Sequence, residues 1–349
     1  MKTLFVIMLL GVSVRAEIVS LAHPAEKFDA ADTVVWTPLF QAAWDRLNEE
    51  HGGKAVKVEP PNELMQMLDA FQWKPGTVMP EGNWKTWGGK ASLEFLARVN
   101  REAEGILGEK NAFPAREFPP GSLSVYAVMA KTLEFEKAFS KAEEPMVFRS
   151  GESETPVKFF GVQGERSGAF AEFVRVLAYR PKDGSHALEI ATKQAGDRVV
   201  LYRPPAVQDF ATACRWLREW RKTKPGSGKS GAWDDPVFHE RDEVQVPYVK
   251  LESRADMAAR LASLRWFGKK TVPWKIALAE MKTEFELHEK GARVKATVEL
   301  QDEPFGFTPP MTPRKFVYDR PFFIFLWRDG AEWPYYGVWI GNSEALREN

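Results

Sequence analysis

The chain has 349 residues, of which 44% are hydrophobic and 28% are charged, a balance typical of a globular protein with a large core rather than a disordered one. Lys and Arg together number 48, as do Asp and Glu, so the formal net charge is zero. With no cationic surplus to neutralise phosphates, nucleic acid is not an expected partner. The single cysteine, Cys214, excludes an internal disulfide and is interpreted as a small buried apolar residue.

The first 16 residues have the pattern of a signal peptide. Lys2 precedes the apolar run LFVIMLLGVSV, which is shorter than the ~20 residues that span a bilayer, and Ala16 is a small residue at the expected cleavage point. Every later apolar run is broken by charges. We therefore expect a secreted protein, extracellular or periplasmic, whose mature part is one monomeric domain over residues 17–349 without a membrane anchor.

Helices dominate the first third of the chain. A short strand over residues 34–36 leads into a helix that begins at Thr37-Pro38 and ends at Gly52-Gly53. Apolar spacing predicts two more helices, over residues 62–73 and 92–107. Between these two, KPGTVMPEGNWKTWGGK is rich in turn residues and is predicted to be irregular.

From Ser122 onward, the predicted elements are mostly strands. A helix follows Pro204-Pro205, and a second is expected to begin at Ser253, whose side chain can cap it. The predicted class is α+β, with several mixed or antiparallel sheets and about six to nine helices. The segments predicted as strands are rich in Val, Tyr and Phe: SLSVYAVMA, PMVFR, VKFFGV, AFAEFVRVLAYR, ALEIAT, DRVVLYR, EVQVPYVKL, KTEFELH, RVKATVEL, FVYDRPFFIFLW and PYYGVWIG.

The stretch ELHEKGARVKATVEL, residues 286–300, alternates beyond a turn at Gly291. Small or apolar residues fall on one side and Arg293, Lys295, Thr297 and Glu299 on the other, which is the pattern of a strand with one buried face. Taken alone, an ordinary hairpin is the simpler interpretation.

No motif for catalysis or metal binding stands out. PGSGKSG, residues 225–231, ends like a phosphate-binding loop, but Thr223 stands where the first glycine is needed. The five histidines are not spaced as zinc ligands, and no G-x-S-x-G elbow occurs. We therefore expect neither an enzyme nor a cofactor or metal site.

The order of several blocks resembles that of the serpins, from about residue 32 to 52 and again from about 122 almost to the C-terminus. Residues 53–118 match poorly and form a divergent helical region. The blocks that resemble serpin elements, in chain order, are DTVVWTPLFQAAWDRL, SLSVYAVMAKTLEFEKAF, EEPMVFRSGESETPVKFFGVQ, DEVQVPYVKLESRADMAARLASLRW, MKTEFELHEKG, FVYDRPFFIFLW and YYGVWIGN.

The resemblance implies an exposed reactive-type loop, residues 301–315, which serves as bait for a serine or cysteine protease. In serpins, the cut loop inserts as a new strand into the large sheet. The hinge would comprise Glu289, Lys290, Gly291, Ala292, Val294 and Ala296, and the bait-bond candidates are Phe305, Phe307, Met311 and Arg314.

Several departures argue against covalent trapping. Arg293 and Lys295 would have to be buried on insertion, and burying an unpaired charge costs several kcal/mol. In the sheet-opening region, Thr37 replaces the usual Ser, Tyr126 the usual Asn and Met281 the usual His, so an apolar contact between Tyr126 and Met281 is expected to lock the sheet. Two functions stay open: protease binding and inhibition, or a non-inhibitory binding or structural role on the same fold.

Overall fold

The computed structural model describes residues 18–222, 235–292 and 313–347. It is of the predicted α+β class, with five α-helices in these ranges and two short 3₁₀ helices, Gly164–Phe170 and Ala259–Leu261. The helices are α1 Leu39–Glu50, α2 Glu63–Ala70, α3 Pro75–Val78, α4 Leu93–Leu107 and α5 Phe210–Lys222.

The strands up to the middle of the chain are β1 Val19–Leu21, β2 Val34–Trp36, β3 Lys57–Glu59, β4 Trp84–Lys90, β5 Leu123–Met129, β6 Leu133–Glu134, β7 Ser140–Lys141, β8 Met146–Ser150, β9 Ser153–Val157 and β10 Phe159–Val162. Those that follow are β11 Val174–Arg180, β12 Ser185–Ala191, β13 Asp197–Arg203, β14 Glu243–Pro247, β15 Val249–Asp256, β16 Leu264–Trp266, β17 Glu280–Leu287, β18 Gly291–Ala292, β19 Lys315–Val317, β20 Phe322–Arg328 and β21 Tyr336–Ile340.

The main core lies around a seven-stranded sheet of order β1-β2-β21-β20-β13-β12-β11. Strands β20 and β21 are buried along almost their whole length, so both faces of this sheet are covered. Helix α5 packs on it through Phe210, whose ring lies 5.2 Å from that of Phe323, and Cys214 is buried on the same helix face. The apolar run FFIFLW is therefore a central strand, which does not alternate because neither face meets solvent.

A four-stranded sheet of order β19-β14-β10-β7 holds the chain after residue 313. Strand β19 runs parallel to β14, with Lys315 opposite Glu243 and Val317 opposite Gln245. Strand β10 lies so close to β14 that a side chain at Gly161 would meet the Val244 carbonyl oxygen. This sheet fixes the point at which the loop predicted over residues 301–315 returns to the body of the protein.

Two separate ladders carry the segments that lead to the hinge. Strand β4 pairs with β5 over seven residues, and β15 pairs with β17 over eight. Within the described ranges no ladder joins β5 to β17; the two pairs are connected through the short antiparallel pair β6 and β18. Helix α1 contacts both β4 and β5, and α4 packs on the same two strands.

Two predictions about local structure were wrong. The stretch predicted to be irregular, residues 74–90, contains α3 and β4, because pairing with β5 overrides the weak strand propensity of Gly88-Gly89. The helix expected from Ser253 is instead the second half of β15, in which Ser253 is buried and its hydroxyl bonds that of Ser20 at 2.6 Å. The eight-residue ladder with β17 satisfies the backbone that the helix would have used.

Candidate functional site

The chain reverses direction directly after β17, in what we call the hinge turn, His288–Gly291. The His288 amide donates to the Gly291 carbonyl at 3.1 Å, and the Gly291 amide donates back to the His288 carbonyl at 3.0 Å. Glu289 and Lys290 occupy the corner. Gly291 has a φ of +112°, and a Cβ there would lie 2.6 Å from the Leu133 carbonyl oxygen, so the turn needs glycine for both conformation and space.

The main chain that leaves the hinge turn pairs with β6. Gly291 lies opposite Glu134 and Ala292 opposite Leu133, in an antiparallel register. The Phe135 amide also donates to the Lys290 carbonyl at 3.0 Å. The hinge turn therefore sends the chain back along the body of the protein as a strand, for at least these two residues.

The Glu289 side chain is buried at the corner of the hinge turn, where the Tyr248 hydroxyl donates to its carboxylate at 3.0 Å. The Lys141 ammonium lies 3.5 Å away. Burial alone would raise the pKa of Glu289, but hydrogen bonds from a backbone amide and Tyr248, together with the Lys141 charge, hold it below its ordinary value. The same burial and the carboxylate raise the pKa of Tyr248.

A cavity of about 460 Å³ opens beside the hinge turn, between the segment that follows β7 and the C-terminal tail. Lys158 and Arg347 contribute cations and Glu143 and Glu144 contribute carboxylates. Among the residues that the structure describes, His, Cys, Asp and Glu side chains form no group of three that could hold a metal ion.

At the other end of the loop, Arg314 is held in what we call the Arg314 clamp. Its Nε lies 3.2 and 3.1 Å from the two carboxylate oxygens of Asp242, and its Nη2 donates to Oδ2 at 2.5 Å. Nη1 donates to the Asp235 carbonyl at 2.9 Å, and Nη2 also donates to the Val237 carbonyl. Only 11% of the Arg314 side chain and 2% of the Asp242 side chain are exposed.

The Arg314 clamp and strand β19 bear on two predictions about the loop. A bait residue must place its side chain in a protease pocket, whereas the guanidinium of Arg314 is already bound on both edges. Lys315, the predicted last residue of the loop, is the first residue of β19 and belongs to a ladder. The distal end of the loop therefore lies before Arg314.

The three residues predicted for the sheet-opening region do not come together. Tyr126 packs among residues from α4 and against Phe113, whose ring lies 4.7 Å away. Met281 belongs to another cluster, with residues of α2. The predicted contact between Tyr126 and Met281 is therefore wrong, since a different helix covers each of them. Thr37 is buried at the start of α1, where its hydroxyl donates to the Tyr335 carbonyl at 3.0 Å.

Other predicted positions lie outside the described residues: the signal peptide 1–16, the hinge residues Val294 and Ala296, and the bait candidates Phe305, Phe307 and Met311. Of Ala292 only the backbone is described. Within the described ranges, no helix combines the length and apolarity needed to cross a bilayer.

Sequence reasoning missed the partners that fix both ends of the loop. Asp242 and Tyr248 flank β14, and the sequence gives no local sign of either role because each contacts a segment more than 40 residues away.

No family model matches the sequence. No curated protein matches it either.

Solved structures do match. A thermophilic serpin, tengpin in its native state, aligns with a TM-score of 0.55 and 12% identity over 94% of this chain and 98% of its own length. Human thyroxine-binding globulin, in complex with thyroxine, aligns with a TM-score of 0.53 and 12% identity, over 89% of this chain and 92% of its own. Such low identities establish architecture alone, and over nearly the whole length of the chain that architecture is the serpin-like fold.

Proposed function

We propose that this protein is a secreted protease-binding protein that presents residues 301–313, the bait segment, between the hinge turn and the Arg314 clamp. The single observation that carries this proposal is the direction of the chain after β17. Because the chain reverses at the hinge turn, Gly291 and Ala292 pair with β6 as a strand and do not continue in the direction of β17. A chain that enters a ladder at this point can extend it when the bait segment is cut.

Each of the two ladders near the hinge has an edge at which a strand could be added. Neither β5 nor β17 has a partner on its second edge among the described residues. Ala292, Val294 and Ala296 follow the hinge turn at alternate positions, so they would share one face of an added strand. Strand addition after cleavage is the mechanism by which serpin loops release stored free energy.

The intervening residues oppose that step. Arg293 and Lys295 would share the opposite face of the added strand, and transferring two unpaired charges from water costs several kcal/mol each. Each 1.4 kcal/mol slows a step about tenfold, so insertion would lose the competition with hydrolysis of the acyl-enzyme. We therefore propose slow cleavage with reversible inhibition, not permanent covalent trapping, and we assign the protein no catalytic activity of its own.

A second candidate function is a non-inhibitory binding role. The charges of Arg293 and Lys295 favour it, because they disfavour the insertion on which inhibitory action depends. One of the similar structures is a thyroxine-binding globulin, so the fold is compatible with a binding role.

Incubation with chymotrypsin tests the proposal. We expect cuts only between Glu303 and Arg314, a temporary loss of chymotrypsin activity that recovers as cutting proceeds, and no complex that survives denaturing electrophoresis. A variant with Phe305, Phe307 and Met311 changed to Gln should lose both effects. A Val272→Gln variant, altered at a side chain that is 69% exposed, serves as the control. Full chymotrypsin activity throughout would favour the non-inhibitory function, and a stable covalent complex would contradict slow turnover.

A further inference from the structure

We propose that Lys131 and Asn83 join in an intramolecular isopeptide bond, with Asp197 as the proton-transfer group. The Lys131 ammonium donates to the Asn83 side-chain oxygen at 3.4 Å, and its nitrogen lies 3.0 Å from Asp197 Oδ2. An amine, an amide carbonyl and a carboxylate thus meet at one point, as acyl transfer to an amine requires. The proposal is independent of the proposed function, because it uses no residue of the hinge turn or the bait segment.

The main chain holds the two reacting side chains at the same end of one ladder. Asn83 directly precedes β4, and Lys131 follows β5 by two residues. Trp84 lies opposite Met129, and the Ala130 amide donates to the Asn83 carbonyl at 2.9 Å. Neither side chain has to be brought in from solvent, and such fixed proximity removes much of the entropy cost of a bimolecular encounter.

Asp197 is positioned from a third element, the start of β13. Its amide donates to the Gln194 carbonyl at 2.9 Å, and its carbonyl accepts from the Thr192 hydroxyl at 2.8 Å. Oδ1 lies 4.0 Å from Arg328 Nε, beyond hydrogen-bond distance, and has no hydrogen-bond partner among the described residues. Lys131 is therefore the nearer of the two cations beside this carboxylate.

Burial favours the neutral groups that the reaction needs. Only 16% of the Lys131 side chain and 6% of the Asp197 side chain are exposed. An ion pair loses its hydration when it is buried, so a neutral amine and carboxylic acid lie closer in free energy to the ion pair here than in water. The neutral amine has the lone pair that attacks a carbonyl carbon.

The reaction balances without any other reactant. Asp197 accepts one proton from the Lys131 ammonium, and the amine attacks Asn83 Cγ to form a new C–N bond. Asp197 then passes its proton to the Asn83 amide nitrogen and accepts a second proton from Lys131 Nζ. The old C–N bond breaks, and the amide nitrogen leaves as ammonia, which takes the last proton from Asp197. Nothing is oxidised or reduced.

The bond would close the chain between β4 and β5 into a covalent loop. Its two ends are 48 positions apart in the sequence, and α4 lies within it. A chain with a single cysteine cannot form an internal disulfide. The isopeptide bond would therefore supply the restriction of the unfolded state that a disulfide gives in other proteins.

Mass spectrometry of the full purified chain tests the proposal. The wild type should be lighter than its sequence by the mass of one ammonia molecule, and a digest should contain a branched peptide that joins residues 83 and 131. Lys131→Arg should have its full mass and no branched peptide, because a guanidinium keeps the positive charge beside Asp197 but is not a nucleophile. Lys85→Arg, altered at a half-exposed lysine that pairs with Glu102, is the control and should react as the wild type does.

Asp197→Asn tests the role of the carboxylate. Without proton transfer the reaction should be at least about a hundredfold slower, so this variant should keep its full mass under conditions in which the wild type has lost ammonia. If it fails to fold, the comparison of the wild type with Lys131→Arg still decides whether the bond forms.

Three results would overturn the proposal. The first is recovery of residues 83 and 131 from the wild type only in separate linear peptides. The second is loss of ammonia without a branched peptide, since an asparagine can also lose ammonia by cyclising onto its own main chain. The third is equal linkage in Asp197→Asn and the wild type.

Discussion

His186 shows how strongly a single buried side chain departs from its behaviour in water. The ring lies under the strand that follows the loop, with centroids 5.7 Å from Phe316 and 4.7 Å from Tyr318. Its Nδ1 is bonded to the Gly184 carbonyl oxygen, whereas Nε2 is buried without a partner. Burial, assisted by the nearby positive charge of Arg203, lowers the pKa of His186 to about 3.

Stability should therefore fall on acidification well before the carboxylates titrate. The unfolded chain takes up a proton at His186 near pH 6.5, but the folded chain does not until about pH 3. Between these values, protonation of His186 in the unfolded chain lowers the free energy of unfolding by about 1.4 kcal/mol per pH unit of acidification. The loss is about 2 kcal/mol by pH 5. Urea unfolding at pH 7.5 and pH 5.0 measures this loss. His186→Phe should lose about 2 kcal/mol less than the wild type, and an equal loss in both would contradict the assignment.

Several residues with a decisive role carry no signature in the sequence. Arg314 is predicted as a bait candidate, but nothing near it in the sequence indicates that its guanidinium bonds the distant Asp242. Glu289 could be predicted as part of the hinge from its neighbours, but not its bond to Tyr248. Side-chain partners between distant segments depend on tertiary packing, which local spacing does not encode.

At the scale of an element, the pair β6 and β18 depends on one glycine. A Cβ on Gly291 would approach three backbone atoms, the Leu133 carbonyl oxygen at 2.6 Å, the Phe135 amide nitrogen at 2.7 Å and the Glu134 Cα at 2.9 Å. Backbone atoms in a ladder cannot move aside as a flexible side chain can. The hinge turn is therefore intolerant of any side chain at this position.

Gly291→Ala should reduce the free energy of unfolding by about 2–4 kcal/mol, from backbone strain and steric overlap together. Gly196→Ala is the matched control, since Gly196 also has a positive φ, +83°, but has open space around it. It should lose only about 1 kcal/mol. Urea unfolding gives both values, and hydrogen exchange should show faster exchange of the Phe135 amide in the first variant alone. Equal losses would mean that the close approach to β6 is not significant.

Elements with strong local signals could be predicted closely. Helix α4 was expected over residues 92–107 and is observed at Leu93–Leu107 with the Ser92 side chain as its cap, because capping and apolar spacing agree there. Strand β2 has the predicted bounds. Strand β4 could not be predicted, since its stability comes from β5 and not from its own residues. The same reason explains why β15 forms in place of the helix expected at Ser253.

At the scale of the whole molecule, the arrangement of the two ladders determines how cleavage of the bait segment could change stability. Two ladders meet only through the β6 and β18 pair within the described ranges. A further strand between them would join the halves into one sheet and bury more apolar surface. Whether that gain is realised depends on the charges carried by the segment that would insert.

Cleavage of the bait segment should raise the melting temperature of the wild-type chain by only a few degrees, because Arg293 and Lys295 offset the gain from added pairing. Changing both residues to Ser should allow insertion and raise the melting temperature of the cut chain by about 10 °C or more. A Lys269→Ser, Lys275→Ser variant, altered at two exposed lysines, controls for the change in net charge. Calorimetry before and after chymotrypsin treatment measures the shift, and a rise of tens of degrees in the wild type would contradict this account.

The order of strands in the seven-stranded sheet also constrains when the protein can form. Strands β20 and β21, near the end of the chain, lie in the middle of that sheet, between β2 and β13. While a ribosome is still adding residues 322–340, the two flanking strands have already emerged, and each can pair with only one of its two neighbours, β2 with β1 and β13 with β12. Such long-range pairing is slow and leaves open edges that attract chaperones or other nascent chains. Assembly of this core is therefore expected to wait until residues 322–340 have left the ribosome.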